Sequence, residues 1–133
     1  MRPPCSLPIK KELDIVAARQ KGRDLAKEIG FGTVNQARIA TAISELARNL
    51  YLYAEAGKII FEVINRQGRK GLRIVAIDKG PGIKEISHVM QDGYTTSGGL
   101  GAGLPGVKRL MDEFEIESEE AIGTKIATIK WYV

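Results

Sequence analysis

The chain of 133 residues has a single cysteine, Cys5, and a single histidine, His88. One cysteine excludes a disulfide within the chain, and these two residues alone cannot form a zinc site. No apolar run approaches the roughly 20 residues that a membrane-spanning helix requires. Residues 1–8 also lack the apolar stretch of about 7–15 residues found in a signal peptide. These absences predict a cytoplasmic protein with no membrane partner.

Aromatic residues are scarce, at 6% of the chain, and they do not recur in a pattern suited to stacking on nucleic-acid bases. The net charge is nevertheless +4, and a basic balance can indicate nucleic-acid binding, which would depend steeply on salt. Charges of both signs are interspersed except in one dense basic group, which comprises Arg66, Arg69, Lys70 and Arg73. We interpret this group as the solvated turn of a hairpin and predict no nucleic-acid partner.

Hydrophobic residues make up 44% and charged residues 27% of the sequence, which is an ordinary globular composition. A chain of this length buries about two-thirds of the surface that it exposes when unfolded, so it forms one core and has no room for a second. Residues 1–133 are therefore interpreted as a single domain.

The spacing of apolar residues predicts two long helices, a strand hairpin, a glycine-rich segment and a closing pair of strands. The expected helices cover 11–29, Thr33 to about Tyr53, 83–90 and 107–114. The expected strands cover 59–64, 72–77, 115–118 and 125–131. Gly30 is expected to end the first helix, and Thr33-x-x-Gln36 has the spacing of a capping box. We expect an α+β two-layer sandwich, with helices on one face of a mostly antiparallel sheet.

A glycine-dense segment precedes the last predicted helix. Residues Gly101 to Gly106 match G-x-G-x-x-G, the spacing of dinucleotide-binding loops and of glycine-rich kinase loops. The dinucleotide-binding interpretation fails because no strand pattern precedes the segment, and the kinase-loop interpretation fails because no H-R-D or D-F-G motif follows it. A Walker-type phosphate loop is also excluded, since no G-x-x-x-x-G-K-[ST] motif occurs. Exposed backbone N–H groups at a helix start would still suit phosphates, and a mobile surface loop explains the glycines equally well.

Glu45 and Asn49 are four residues apart on the second predicted helix, so they project from the same side of it. They flank the apolar face of that helix. A carboxylate and a carboxamide at these positions can serve as a general base and a metal-binding oxygen. On their own, they are more simply explained as solvated helix residues.

Asp78 closes a predicted strand and begins the sequence Asp78-x-Gly80-x-Gly82. A carboxylate at the rim of a sheet can be reached by a ligand, although an acid before a glycine turn also stabilises the turn itself. Gly123-Thr124 precedes the last predicted strand and has a hairpin turn as its plain explanation. The order and spacing of these signals carry more information than any one of them.

The chain resembles the GHKL superfamily, whose members share a Bergerat-type ATP site and include type II topoisomerases, sensor histidine kinases and bacterial anti-sigma kinases. The resemblance rests on the order of the signals, from Glu45 and Asn49 through Asp78 and the glycines to Thr124. It covers essentially the whole chain from about residue 10 onward. The resemblance implies the Bergerat-type ATP-binding fold.

A narrower likeness connects segments 14–20, 43–49 and 96–110 with the switch serine/threonine kinases of the stressosome. One departure is Lys79, where relatives often carry an acidic residue. The chain lacks the transducer domain of topoisomerases and the phosphoacceptor-histidine helices of sensor kinases. The resemblance therefore implies that the phosphate acceptor belongs to another protein and that His88 is not an acceptor.

The resemblance assigns roles to individual residues. It implies that Glu45 is the general base toward a serine or threonine hydroxyl, and that Asn49 binds both the nucleotide and Mg²⁺. It implies that Asp78 accepts a hydrogen bond from the adenine amino group and that Thr124 supports the adenine edge. The other implied nucleotide-binding residues are Gly80, Gly82, Gly98, Gly99, Leu100, Gly101, Ala102, Gly103 and Leu104. Lys108 and Arg109 are candidates for a further phosphate contact.

The implied function is that of a serine/threonine protein kinase that uses ATP and Mg²⁺. The implied substrates are STAS-domain proteins of a stressosome, and the implied second partner is a serine phosphatase that the kinase activates by binding. The alternative is a nucleotide-gated binding module that sequesters or activates a partner without significant phosphate transfer. Glu45 favours the kinase, because a binding module would not need a carboxylate there. The resemblance leaves open whether the chain forms a homodimer.

Overall fold

Within the residues that the structure describes, five strands form one antiparallel sheet. The computed structural model describes residues 3–53, 57–79, 103–119 and 123–132. The strands, in the sheet order β1-β2-β3-β5-β4, are β1 (Cys5–Pro8), β2 (Lys58–Arg66), β3 (Arg69–Ile77), β4 (Glu113–Glu119) and β5 (Gly123–Trp131). The helices of these ranges are α1 (Glu12–Ile29), α2 (Thr33–Tyr53) and α3 (Gly103–Leu110). The helix predicted at 83–90 lies outside the described residues.

The helices pack on one face of the sheet, and this confirms the predicted α+β two-layer sandwich. Side chains that alternate along the strands, among them Phe61 and Ile74, join Ile43 and Leu46 of α2 in a single hydrophobic core. Each of these four side chains is at most 1% exposed. No helix in the described ranges is both long and apolar enough to cross a membrane.

The first strand was not expected, since the strands predicted from the sequence begin at residue 59. β1 instead pairs antiparallel with β2, and Cys5 lies opposite Phe61. Cys5 and Leu7 pack against the core while Ser6 and Pro8 are exposed, which is the alternation of an edge strand. Four residues are too few for this alternation to stand out, because the strand depends on its neighbour β2.

The last helix begins earlier than predicted: it covers Gly103–Leu110 rather than 107–114. Leu104, Val107 and Met111 are buried in the core, so the apolar spacing that forms this helix starts inside the glycine-dense segment. The prediction was wrong because glycines disfavour helices in isolation, whereas tertiary packing decides the outcome here. Phe114, expected at the end of this helix, belongs to β4.

Local hydrogen bonds define the ends of α1. The Asp14 carboxylate accepts hydrogen bonds from the backbone N–H groups of Lys10 and Lys11, at 2.8 and 2.9 Å. These donors, chiefly Lys10, hold the pKa of Asp14 below its ordinary value. The helix ends at Gly30, as predicted, where φ is 118° and the left-handed conformation favours glycine.

α2 begins at Thr33 as predicted, but the expected capping box does not form. The first helical hydrogen bond runs from the backbone N–H of Gln36 to the Gly32 carbonyl oxygen, at 2.9 Å. The Gln36 side chain donates instead to the Phe31 carbonyl oxygen, at 2.8 Å. Gly32 therefore takes the capping position, and Thr33 lies one residue inside the helix.

β2 and β3 form a hairpin that is longer than predicted and is closed by Gln67 and Gly68. Both turn residues have positive φ, 57° and 81°, which is typical of the tightest hairpin turns. The guanidinium groups of Arg66 and Arg69 lie 5.2 and 4.9 Å from the ring centroid of Trp131. Two members of the dense basic group are therefore engaged in cation–π stacking within the fold.

The crossing of α1 over α2 depends on Gly22. A methyl group at this position would collide with Cδ1 of Ile43 and would lie 3.4 Å from Phe61 Cε1. Both neighbours are fully buried, so the site has little room to relax.

We expect Gly22→Ala to lower the free energy of unfolding by about 1–3 kcal/mol, as overpacking does. Urea unfolding would measure this change. Lys27→Ala is the control because Lys27 is exposed on the same helix, so an alanine is introduced without entering the core, and an equal loss in both variants would contradict the packing argument.

Candidate functional site

Glu45 lies in the middle of α2 and is only 3% exposed. The sequence predicts a position beside the apolar face of the helix, and the structure shows the side chain to be buried and to line a groove between α1 and α2. Its Oε1 lies 3.7 Å from Nη1 of Arg48, one helical turn away. Asn49, on the following turn, is half-buried. A carboxylate that is buried in this way is held in a fixed orientation, as a catalytic group must be.

An open groove between α1 and α2 leads to Glu45. Its volume is about 480 Å³. It is lined by Arg19, Gln20 and Arg23 of α1 and by Ala37, Ala40, Thr41, Ser44, Glu45 and Arg48 of α2. Three arginines thus line the groove together with one carboxylate, which gives the groove a local excess of positive charge.

These arginines were not predicted as site residues. Arg19 and Arg23 are four residues apart on α1 and therefore lie on one side of it. That spacing is the signal that sequence analysis could have used. The groove itself cannot be read from the sequence, because it depends on how α1 crosses α2.

The structure brings Asp78 and Thr124 together at one end of the sheet. The backbone N–H of Asp78 donates to the Thr124 carbonyl oxygen at 3.0 Å, which continues the pairing of Ile77 with Lys125 between β3 and β5. Gly123 lies against the Asp78 carbonyl with a φ of 139°. Asp78 and Thr124, which the sequence separates by a long segment, are therefore neighbours at one end of the sheet, joined by backbone contacts.

Ser118 of β4 is a site residue that the sequence did not indicate. It pairs with Thr124 across the two strands, and the hydroxyl oxygens of the two residues are 3.0 Å apart. Thr124 is 8% exposed, so the hydrogen bond orients a largely buried hydroxyl. The strand register alone brings Ser118 here, and no pattern around it in the sequence is distinctive.

The C-terminal part of α2 lies over this same end of the sheet. Leu50 packs against Gly57, the residue before β2. The first residue of β2, Lys58, pairs with Ile77 at the end of β3. Because Asn49 directly precedes Leu50, it lies at the end of the sheet where Asp78 follows β3. Two parts of the predicted site, on α2 and at the sheet edge, therefore share one region.

α3 supplies the remaining described residues of the predicted site. Gly103 and Leu104 form its first turn and are buried, and the helix packs along α2. The first turn of a helix presents backbone N–H groups and the positive end of the helix dipole. Lys108 and Arg109 are exposed in the last turn. The other predicted contacts, Gly80, Gly82, Gly98, Gly99, Leu100, Gly101 and Ala102, lie outside the described residues.

The Asn49 carboxamide suits a Mg²⁺ ion that binds together with a nucleotide. Among the described residues, no group of three or more histidine, cysteine, aspartate or glutamate side chains could hold a metal ion. Mg²⁺ bound to a nucleotide keeps several waters and phosphate oxygens, so it needs only one or two protein oxygens. The Asn49 carboxamide oxygen on α2 fits that requirement.

Comparison with known families identifies the class of protein. Residues 34–131 match the model of the histidine kinase-, DNA gyrase B- and HSP90-like ATPases. A structure of the RsbU and RsbW domains of Rv1364c from Mycobacterium tuberculosis superposes with a TM-score of 0.67 at 19% identity. The superposition covers 99% of this chain and 34% of that one, so the chain spans about a third of it. This second likeness concerns the fold alone.

Comparison with individual proteins shows which members of this family the chain is similar to. The serine/threonine-protein kinase RsbT of Bacillus subtilis is 66% identical over 123 residues, which cover 92% of each chain. The anti-sigma F factor of Thermoanaerobacter sp. is 34% identical over 100 residues, 71% of this chain and 69% of that one. The chain therefore belongs to the histidine kinase-, DNA gyrase B- and HSP90-like ATPases, and within that family it is a serine/threonine-protein kinase.

The contact between Gly123 and Asp78 leads to a testable prediction. A methyl group on Gly123 would collide with the Asp78 carbonyl oxygen and would be strained at a φ of 139°. We expect Gly123→Ala to displace Asp78 and to raise the Kd for ATP by about tenfold or more, a change of about 1.4 kcal/mol or more. Calorimetric titration of the folded variant would measure it.

Gly68→Ala is the matched control for this prediction. Gly68 also has a positive φ, 81°, but a methyl group there meets nothing within 4 Å. It shares the backbone strain and lies at the far hairpin tip. An equal loss of ATP affinity in both variants would show that strain, and not the contact with Asp78, is responsible.

Proposed function

We propose that this kinase transfers the γ-phosphate of ATP to a serine or threonine of STAS-domain proteins of a stressosome. We further propose that the released kinase binds and activates a serine phosphatase. The observation that carries the first proposal is Glu45, a buried carboxylate at an open groove between α1 and α2. The similarity to the serine/threonine-protein kinase RsbT supports the first proposal, and the second rests on the family resemblance alone. The reaction would take place in the cytoplasm, where ATP is available.

The proposed nucleotide site lies at the end of the sheet. Asp78 accepts a hydrogen bond from the adenine amino group, and Thr124, oriented by Ser118, supports the adenine edge. The first turn of α3, with Gly103 and Leu104, presents its backbone N–H groups to the phosphates. Lys108 or Arg109 adds a cation, and the further proposed nucleotide-binding residues are Gly80, Gly82, Gly98, Gly99, Leu100, Gly101 and Ala102. Mg²⁺ would supply charge neutralisation of the phosphates when bound with ATP.

Glu45 has the proposed role of orienting the acceptor hydroxyl. The hydroxyl oxygen forms a bond to the γ-phosphorus, the bond from that phosphorus to the β–γ bridging oxygen breaks, and ADP leaves with that oxygen. The hydroxyl proton passes to the Glu45 carboxylate. Because a carboxylate is a weak base toward an alcohol, alignment of the hydroxyl contributes most and proton transfer occurs late. Most of the rate gain in phosphoryl transfer comes from such positioning together with charge stabilisation.

The groove supplies a route for the acceptor. We propose that the segment of the STAS protein that carries the acceptor hydroxyl enters between α1 and α2, with acidic groups near Arg19 and Arg23. Opposite charges would speed association and set the direction of approach. The volume of about 480 Å³ is enough for a few side chains of such a segment.

A second candidate function is that of a nucleotide-gated binding module. The similarity to an anti-sigma F factor favours it, since an anti-sigma factor is by its name a regulator of another protein. The two candidates differ in what they require of Glu45. A module that only binds would retain its function when this carboxylate is replaced.

Two assays with purified partners test the proposed function. Incubation with Mg·ATP and STAS-domain proteins, followed by mass spectrometry, is expected to find phosphate on a serine or threonine of the partner. Addition of the kinase to the cognate serine phosphatase is expected to raise its activity. A stable complex with a STAS protein and no phosphorylated residue would favour the binding module. Phosphorylation without any effect on the phosphatase would reject the second proposal alone.

Asn49 gives a separate prediction about Mg²⁺. We expect Asn49→Ala to abolish phosphate transfer and to raise the Kd for Mg·ATP by about tenfold or more through loss of the metal-binding oxygen. Binding of adenosine, which carries no phosphate or metal, is expected to stay within about twofold. Fluorescence or calorimetric titrations would measure both ligands. Asn35→Ala, on the first turn of α2, is the control, and an equal effect of the two substitutions would contradict the assignment.

A further inference from the structure

A buried lysine stands at the C-terminal end of α3. Lys130 of β5 points toward the helix layer, and its side chain is 11% exposed. Its Nζ donates a hydrogen bond to the Leu110 carbonyl oxygen at 2.9 Å and lies 3.5 Å from Oδ1 of Asp112. A buried ammonium group requires such partners, because leaving water without them is costly. Both partners belong to the segment where α3 ends and turns into β4.

Asp112 forms two further hydrogen bonds between the end of α3 and β5. Its Oδ2 accepts a hydrogen bond from the backbone N–H of Trp131 at 2.7 Å. Its own backbone N–H donates to the Ile129 carbonyl oxygen at 2.9 Å. Together with the contacts of Lys130, these bonds fix the end of α3 to three consecutive residues of β5. A cation at the last carbonyl of a helix is also favoured by the helix dipole.

This anchor bears on the phosphates because α3 is short and intrinsically weak. The helix has 8 residues and includes Gly103 and Gly106, which favour helix less than other residues do. At a rise of about 1.5 Å per residue, its two ends are roughly 12 Å apart. A short helix of this kind depends on contacts at its ends, so we expect the orientation of its first turn, where Gly103 and Leu104 are buried, to follow the position of its C-terminal end.

We propose that Lys130 and Asp112 are positioning residues for the phosphates of ATP: they fix the C-terminal end of α3, and thereby the direction in which its first turn presents backbone N–H groups. This inference rests on the proposed nucleotide site. Neither side chain touches the nucleotide, and the effect passes through the helix. The adenine end, held by Asp78 and Thr124, does not depend on this anchor.

A positioning role for Lys130 predicts weaker binding of ATP but not of adenosine, which carries no phosphate. A merely structural role predicts equal weakening of both ligands. Lys130→Met keeps most of the side-chain stem and removes the ammonium group. We expect it to raise the Kd for ATP and the KM for ATP by about tenfold, while the Kd for adenosine and the KM for the protein substrate stay within about twofold. Lys130→Arg retains a hydrogen-bond donor, so we expect it to recover at least half of the binding free energy for ATP that Lys130→Met loses.

Lys70→Met serves as the matched control, because Lys70 is an exposed lysine of β3 in the same sheet, and we expect no change in any of these constants. Affinities are measured at a temperature at which circular dichroism shows each variant to be folded. If Lys130→Met does not fold, Asp112→Asn replaces it, with the same phosphate-dependent pattern expected at a smaller size. Equal weakening of ATP and adenosine, or a lowered unfolding midpoint with unchanged Kd values, would overturn the inference. Failure of the unmodified protein to bind either ligand would instead reject the proposed nucleotide site.

Discussion

Replacing Glu45 with glutamine is expected to lower kcat for phosphate transfer by about 10²–10³-fold, within the usual range for loss of a general base. The Kd for ATP is expected to stay within about twofold. Glutamine preserves the volume of a side chain that is only 3% exposed, so the packing between α1 and α2 is retained. It cannot accept the proton, and its amide would orient the acceptor hydroxyl differently. Single-turnover transfer and ATP titration on the same preparation measure the two quantities. Glu45→Ala should act in the same direction.

Ser44→Ala is the matched control for Glu45. Ser44 lines the same groove, and its hydroxyl donates to the Ala40 carbonyl oxygen of its own helix at 3.0 Å. We expect this variant to keep transfer within about twofold, so that a loss in Glu45→Gln reflects the carboxylate and not a disturbed groove. Undiminished transfer by Glu45→Gln would mean that the carboxylate has no part in the reaction, and would favour the nucleotide-gated binding module.

Asp78→Asn is expected to abolish transfer for a different reason, which is loss of nucleotide binding. A hydrogen bond to a charged group contributes about 1.5–3 kcal/mol, so its loss alone raises the Kd for ATP by about 10–100-fold. The amide retains one acceptor oxygen but carries no charge and replaces the other oxygen with an NH2 donor, so the charge-assisted hydrogen bond is lost. Because Asp78 acts on the base, adenosine and ATP should weaken together, in contrast to Lys130→Met. Calorimetric titration with both ligands measures the effect.

Glu117→Gln is the control for the loss of one negative charge. Glu117 is an exposed residue of β4 next to Ser118, and we expect its replacement to leave both Kd values within about twofold. If Asp78→Asn bound ATP as tightly as the unmodified protein, the adenine would have to be recognised elsewhere. That result would remove the nucleotide site from the end of the sheet.

The long elements could be predicted because their patterns are strong by themselves. Two extended helical periods and two runs of β-branched residues indicated α1, α2, β2 and β3, and Gly30 marked the end of α1. The elements that the sequence missed or misplaced depend on their neighbours. β1 is a strand because β2 lies beside it, and α3 begins at Gly103 because Leu104 and Val107 enter the core.

The candidate site shows the same division. The order of Glu45, Asn49, Asp78 and Thr124 in the sequence, through the family resemblance, predicts them as site residues, and this remains a prediction. Their arrangement was not accessible, since the groove beside Glu45 depends on how α1 crosses α2, and Ser118 meets Thr124 only through the register of β4 and β5. Hydrophobic patterning also favours an exposed Lys130, whereas its hydrogen bond to Leu110 explains why it is buried. Long-range packing decides these positions, and local sequence does not contain it.

The central claim is that this chain is a kinase in which Glu45 acts on the acceptor of another protein. The most direct test is transfer of γ-labelled phosphate from Mg·ATP to a cognate STAS-domain protein, with Glu45→Gln and Ser44→Ala measured in parallel. We predict label on a serine or threonine of the STAS protein with the unmodified chain and with Ser44→Ala, and almost none with Glu45→Gln, although all three bind ATP. A STAS protein that binds the kinase but remains unlabelled, or equal labelling by Glu45→Gln, would contradict the claim.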